Sequence, residues 1–226
     1  MITRYLTILL ALTLSACGSG GGGGAPATST SPTTTFPFAS AVSAFMQASH
    51  NYNLSAVSGA DTYSLQINFT PGTQQQLFEG HLSSTMAESI IIKKNGVVAL
   101  TYSDTGYFDV SPYKDWGDIA SDGSYSVAAG QQALPSNASV GQSGSFETST
   151  TYTNSTKTSI ASTNTEVWSL ESDTATTAWA CINSTTTYAN GSPTVSGGEC
   201  FKADQSGNVS AMKISIYVSG QSLTFQ

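Results

Sequence analysis

The chain has 226 residues, of which 14 are acidic and 7 are basic, and its formal net charge is −7. Charged residues make up only 9% of the chain, whereas serine and threonine together number 66, so hydroxyl groups must keep its surface polar. There is no basic patch, and nucleic acid is therefore not expected as a partner, because binding a polyanion depends on Lys and Arg. Abundant β-branched Thr favours strands.

The first 17 residues have the organisation of an export signal. Arg4 precedes an apolar run over residues 6–14, which is too short to span about 30 Å of hydrocarbon as a helix. Two small residues, Ser15 and Ala16, then lead to Cys17. The pattern of Leu, small, small, Cys resembles the leader of a bacterial lipoprotein, which the lipoprotein signal peptidase cuts before the cysteine.

This resemblance implies a location rather than an activity. Residues 1–16 would be the signal peptide, and Cys17 would carry the acyl chains that hold the protein on membrane lipid. Two or more chains anchor a protein stably. Gly18 after the cysteine implies the outer membrane of the cell envelope, with the protein facing the periplasm. The alternative is ordinary secretion, with Cys17 incidental.

Domain boundaries follow from composition. Residues 17–35 form the lipidated cysteine and a tether of Gly, Ser, Thr and Pro, which is flexible and stiffens where the prolines begin. Residues 36–226 suit a single β-rich domain.

The first element after the tether is a predicted helix over about residues 37–49. Its apolar residues have the spacing of one helical face and are Phe38, Ala41, Val42, Phe45 and Met46. We expect this stripe to pack on a sheet. A helix lying on a membrane is the weaker alternative, because the segment has no Lys or Arg.

Strand patterns dominate the rest of the chain. Residues 63–69 alternate apolar and polar, and Asn95-Gly96 between two apolar runs predicts a type I′ hairpin, with a third strand at 107–110. Residues 77–82 are a weaker strand candidate, and 111–143 look irregular. Further strands are predicted near 146–152, 158–163, 166–171, 176–187, 199–203, 212–218 and 223–225. The fold class is therefore all-β, mainly an antiparallel sandwich or open barrel, with one N-terminal amphipathic helix.

Cysteine pairing follows from the count. With Cys17 assigned to lipid, Cys181 and Cys200 form an even pair in an exported chain, which predicts a disulfide bond. The alternative is a pair of free thiols or metal ligands.

Few residues suggest chemistry, and we predict no catalytic residue, no metal and no cofactor. His50 and His81 lack the spacing of a zinc motif, and Gly141–Ser145 lacks the second glycine of a nucleophile elbow. One segment, residues 102–122, interleaves aromatic and acidic side chains, a mixture that suits a saccharide. Its candidate ligand-binding residues are Tyr107, Tyr113, Trp116, Asp115 and Asp118. The structural alternative is a loop whose aromatics close the end of the sheet and whose Asp residues cap turns.

Three functions remain open on these grounds. The first is a non-catalytic, membrane-anchored domain for binding or envelope structure. The second is a carrier of lipid or another hydrophobic ligand, which requires a continuous apolar cavity between the helix and the sheet. The third is a protein that binds or acts on glycans through residues 102–122.

Overall fold

The computed structural model of the chain describes residues 34–218 and 221–226. The leader, Cys17 and nearly all of the tether lie outside the described residues. Cleavage, acylation and the tether therefore stay predictions.

The described residues form one helix, α1, at Phe38–Met46, and 15 strands. The first eight strands are β1 (Thr35–Phe36), β2 (His50–Ser58), β3 (Asp61–Pro71), β4 (Gln76–Phe78), β5 (His81–Lys94), β6 (Val97–Val110), β7 (Tyr113–Ala120) and β8 (Tyr125–Ala129). The others are β9 (Ala138–Ser139), β10 (Ser143–Tyr152), β11 (Ile160–Ser172), β12 (Thr177–Tyr188), β13 (Val195–Asp204), β14 (Val209–Val218) and β15 (Gln221–Phe225).

Twelve strands make a nearly closed antiparallel barrel. Their order is β2-β3-β5-β6-β7-β8-β10-β11-β12-β13-β14-β15, while β4 pairs only with β5, and β1 with β9 forms a separate ribbon. The first and last strands meet where the Ser55 N–H donates to the Gln226 carbonyl at 3.1 Å and the Gln226 N–H donates to the Ser55 carbonyl at 3.1 Å. The predicted all-β class with one N-terminal helix is confirmed.

Alternation of side chains along each strand divides the barrel into an inner and an outer face. In β3, Leu65, Ile67 and Phe69 are buried inside the barrel, and Ser64, which precedes Leu65, is exposed on the outer face. The predicted hairpin joins β5 to β6, and its turn residues Asn95 and Gly96 have φ angles of 50° and 81°, as a type I′ turn requires.

One strand was not predicted. The helix expected over about residues 37–49 is confirmed and spans Phe38–Met46, and the strand β2 begins soon after it at His50, where no strand was predicted. Residues 77–82 do not form one strand: Glu79 and Gly80 have φ angles of 48° and 82° and turn the chain between β4 and β5.

The segment 111–143 is not irregular, because it contains β7, β8 and β9. Gly117 in β7 lies where two strands approach each other closely. A Cβ there would lie 2.0 Å from the Ser126 carbonyl oxygen in β8, and the glycine has a φ of 135°. Glycine is therefore needed here because the two strands approach each other closely. From local sequence alone, such a strand glycine looks the same as a loop glycine.

The helix α1 fills one end of the barrel instead of lying across an open sheet. The Phe45 ring lies 5.0 Å from the Phe69 ring in β3 and 4.2 Å from the Phe201 ring in β13, and Ser43 Oγ donates to the Val110 carbonyl at 3.0 Å. The predicted apolar stripe is thus buried against several walls at once. Among the described residues, no helix has the length and hydropathy that crossing a bilayer would take.

The disulfide between Cys181 and Cys200 is present. The two residues are directly opposite each other in β12 and β13, and their neighbours Ala180 and Phe201 point into the core, so the bridge lies on the outer face. Trp179 stands beside it, with Lys213 Nζ 4.9 Å from the centre of its ring.

We expect Phe45→Ala to lower the free energy of unfolding by about 3 to 5 kcal/mol, because it leaves a cavity between α1 and two walls. Urea unfolding followed by tryptophan fluorescence measures the change. Ser40→Ala on the exposed face of α1 is the control and should stay within about 0.5 kcal/mol of wild type. Equal effects of both changes would show that α1 does not fill the barrel.

Replacing both Cys181 and Cys200 with Ala should lower the free energy of unfolding by about 3 kcal/mol, because the bridge closes a loop across 19 positions of sequence. A reducing agent should destabilise the wild type by a similar amount and leave the double variant unchanged. Mass spectrometry supplies the direct check, since reduction adds two hydrogens only where the bridge exists.

Candidate functional site

The barrel interior contains acidic side chains, whereas the lysines of the described residues lie outside the core. Half of the 14 acidic residues are buried, and they are Glu88, Asp104, Asp115, Asp118, Glu147, Glu166 and Glu199. None of the six lysines in the described residues is buried, and Arg4, the one arginine of the chain, lies outside them. We call the seven buried acids the acidic interior.

The lysines are used on the outside. Four of them form ion pairs with acids of the outer surface, Lys94–Asp61 at 2.6 Å and Lys157–Glu79, Lys202–Asp173 and Lys213–Glu171 at 2.7 Å. These exposed pairs add little stability. The other two lysines, Lys93 and Lys114, are exposed, so no lysine of the described residues lies among the buried acids to balance their charge.

Strand register places two pairs of the buried acids directly opposite each other. Glu88 in β5 faces Asp104 in β6, and Glu147 in β10 faces Glu166 in β11. Like charges in directly opposed positions destabilise a sheet, and burial increases the repulsion because the surroundings screen it poorly. The fold therefore brings acids together where packing alone would avoid them.

Glu88 is buried without a hydrogen-bond partner among the described residues. It is 2% exposed, and neither of its carboxylate oxygens has a hydrogen-bond partner in the part of the chain that the structure describes. Burial raises the pKa of the Glu88 carboxyl well above its usual range, and the nearby charges of Asp104 and then Glu199 raise it further.

The surroundings of the acids supply hydroxyl and amide groups. Tyr102 directs its hydroxyl at Asp104 Oδ2 over 3.5 Å, and burial, followed by the charge of Asp104, raises the pKa of this phenol. On the opposite wall Thr186 Oγ1 donates to Asn164 Oδ1 at 3.0 Å, and Asn164 Nδ2 donates to Glu166 Oε1 at 2.8 Å. This chain of hydrogen bonds fixes one acid of the second pair.

A small cavity lies next to the acids beneath α1. Its volume is about 30 Å³, and Asp115, Glu166 and Glu199 line it together with apolar residues that include Phe45 and Met46. Such a volume holds about one water-sized body. The apolar cavity that a lipid carrier needs between the helix and the sheet is therefore largely filled at this place.

The five residues predicted for ligand binding do not meet on one surface. Tyr113, Asp115 and Asp118 face the interior, whereas Tyr107 and Trp116 belong to the outer face. Alternation along β7 separates Trp116 from Tyr113 and Asp115, and a bulge at Trp116, across which the register shifts between Tyr107 and Phe108, returns Asp118 to the inner face. Asp115 also has a local role, because its Oδ1 accepts the Gly117 N–H at 2.9 Å.

The outer aromatics form a packed cluster of their own. Phe78 from β4 stacks on Tyr107 and Tyr125 with ring centres 4.4 and 5.0 Å apart. The Trp116 ring is covered by the His81 ring at 3.4 Å, and Lys114 Nζ lies 3.8 Å from its centre. A sugar ring would have to displace these side chains to stack on Trp116, so the geometry does not favour residues 102–122 as a glycan site.

Sequence reasoning missed four members of the acidic interior, which are Glu88, Glu147, Glu166 and Glu199, and it placed Asp104 in the segment 102–122 without choosing it as a candidate. For Glu88 a signal was available, because it alternates in phase with Met86, Ile90 and Ile92, which are all buried. An acid at an inward position of an apolar alternation is unusual. Such an acid indicates either that the face assigned to the strand is wrong or that the interior of the fold has a function.

Among the described residues, one group of three His, Cys, Asp or Glu side chains brings its ligand atoms within 4.8 Å of one another, and it consists of Glu171, Cys181 and Cys200. Its two sulfurs are bonded to each other, so they are not thiolate ligands. The acids inside the barrel are arranged in pairs rather than in a closed cage.

Comparison of the chain with protein-family models, with curated proteins and with solved structures gave no match in any of the three. Arguments about function therefore depend on the sequence and on the geometry described above.

The raised pKa of Glu88 makes stability depend on pH. The unfolded chain releases the Glu88 proton near the ordinary pKa of a glutamate, while the folded chain retains it to higher pH. The stability that the bound proton contributes is therefore complete below the ordinary pKa and is lost as pH rises towards the pKa of Glu88 in the folded protein. We expect the free energy of unfolding to fall by up to about 1.4 kcal/mol per pH unit for this one proton.

Glu88→Gln should reduce that dependence and raise the stability of ligand-free protein at pH 8 above wild type. Urea titrations at pH 5, 6.5 and 8 measure both effects. Glu171→Gln, a change of the same kind at an exposed position, serves as the control and should keep the wild-type slope. A slope unchanged by Glu88→Gln would contradict the assignment.

Proposed function

We propose that this chain is a lipid-anchored protein of the bacterial cell envelope whose barrel is a non-catalytic binding domain. The barrel-like fold is compatible with a binding or carrier role. The observation that carries the binding role is the acidic interior, because seven acids are buried there and no lysine is buried with them among the described residues.

An ionised carboxylate is expensive to bury without a compensating partner, and two facing carboxylates are worse. Glu88 could be replaced by the apolar residues that surround it in β5 without changing the strand pattern. A domain that instead keeps Glu88 opposite Asp104 gives up stability, and such a cost is typical of a site that binds a ligand.

The proposed location of the protein follows from its sequence. Cys17 after two small residues and an apolar run supports cleavage and acylation, and Gly18 supports the outer membrane with the domain in the periplasm. Residues 18–35 would act as a tether of roughly 25 Å root-mean-square length. This tether would allow the domain to meet ligand away from the lipid headgroups.

Anchoring is tested by producing the full chain in a bacterium with an outer membrane. The wild type should begin at Cys17, carry acyl chains in its mass spectrum and fractionate with the outer membrane. Cys17→Ala should carry no acyl chain and should leave that fraction.

The double variant Cys181→Ser/Cys200→Ser is the matched control, because it loses cysteines elsewhere and should still be acylated. An intact leader on native wild-type protein, or an unmodified Cys17, would overturn the proposed anchoring.

A further inference from the structure

The donor atoms around Glu88 are oxygens. Asp104 lies opposite it, Tyr102 points at Asp104, and the charge of Glu199 acts on Glu88 from β13. The described cysteines Cys181 and Cys200 are joined on the outer face. Hard cations prefer oxygen ligands, whereas zinc and copper favour nitrogen and sulfur.

We propose that Glu88 and Asp104 bind one hard divalent cation, and that calcium is the cation of best fit. This inference rests on the proposed function, since it names the ligand class of the same interior. A cation placed between these carboxylates would replace repulsion with attraction. Glu88 distinguishes this site from an ordinary cluster of acids, because its side chain is 2% exposed and both of its carboxylate oxygens lack a hydrogen-bond partner among the described residues.

The arrangement favours calcium over magnesium. No three carboxylates of the described interior have oxygens within 4.8 Å of one another, so the side chains must turn to complete a site. Calcium accepts six to eight oxygens in irregular geometry, and water and nearby hydroxyls can complete its shell. Magnesium requires a nearly ideal octahedron, which two opposed acids on neighbouring strands do not supply.

The test uses the mature-length chain without its lipid, dialysed against a chelator and then titrated with calcium chloride in a calorimeter. Wild type should bind calcium with a dissociation constant on the order of 10⁻⁴ M, as sites with few charged ligands do. Glu88→Gln should weaken binding at least tenfold, and Glu171→Gln should leave it unchanged.

Terbium, which replaces calcium in oxygen sites, locates the ion. Excitation of Tyr102 should sensitise its luminescence, because the phenol oxygen lies 3.5 Å from Asp104 Oδ2. Tyr102→Phe should remove most of that emission while calorimetric calcium binding persists. Full emission in Tyr102→Phe would place the ion elsewhere and overturn the site.

The remaining outcomes separate this inference from the proposed function. If wild type binds no calcium, or if spermidine binds in its place, the cation class is wrong. The binding role then still stands provided that Glu88→Gln raises the stability of ligand-free protein. If Glu88→Gln neither raises that stability nor affects calcium binding, both proposals fail together.

Discussion

Closure of the sheet is the constraint on which the rest of the structure depends. The paired hydrogen bonds between Ser55 and Gln226 bring the first and last barrel strands together, and every second residue of 12 strands must then fit one enclosed space. Apolar side chains and α1 fill the end near Phe45, while acids and hydroxyls line the strands further in. An open sheet could expose those acids to water, but a closed barrel cannot.

Rigid supports surround the most costly part of this interior. Glu199 directly precedes Cys200, so the disulfide to β12 fixes the strand that carries it. On the facing wall, hydrogen bonds from Thr186 through Asn164 hold Glu166. The disulfide holds β12 to β13 beside Glu199, and the hydrogen bonds hold β12 to β11 beside Glu166. A cross-link on the outer face and hydrogen bonds inside the barrel thus fix two of the strands that carry buried acids.

Local signals were sufficient for the parts of the fold that short-range physics determines. Asn95-Gly96 predicted its hairpin because few residues adopt two successive positive φ angles, and the spacing of Phe38 to Met46 predicted the buried face of α1. The even pair of cysteines predicted the bridge. Strand β2 was missed because its outer residues are small and polar and its start at His50 follows the helix without a turn signal.

The candidate site could not be predicted because pairing decides it over long range. Glu88 and Asp104 are 16 positions apart and meet through the hairpin, whereas Glu199 comes from the other half of the chain. In the segment 102–122 alternation turns Asp115 inward and Trp116 outward, and a bulge at Trp116 then turns Asp118 inward as well. Proximity in sequence suggested one surface for these residues, and strand register divided them. The same register assembles the acidic interior from acids that carry no common motif.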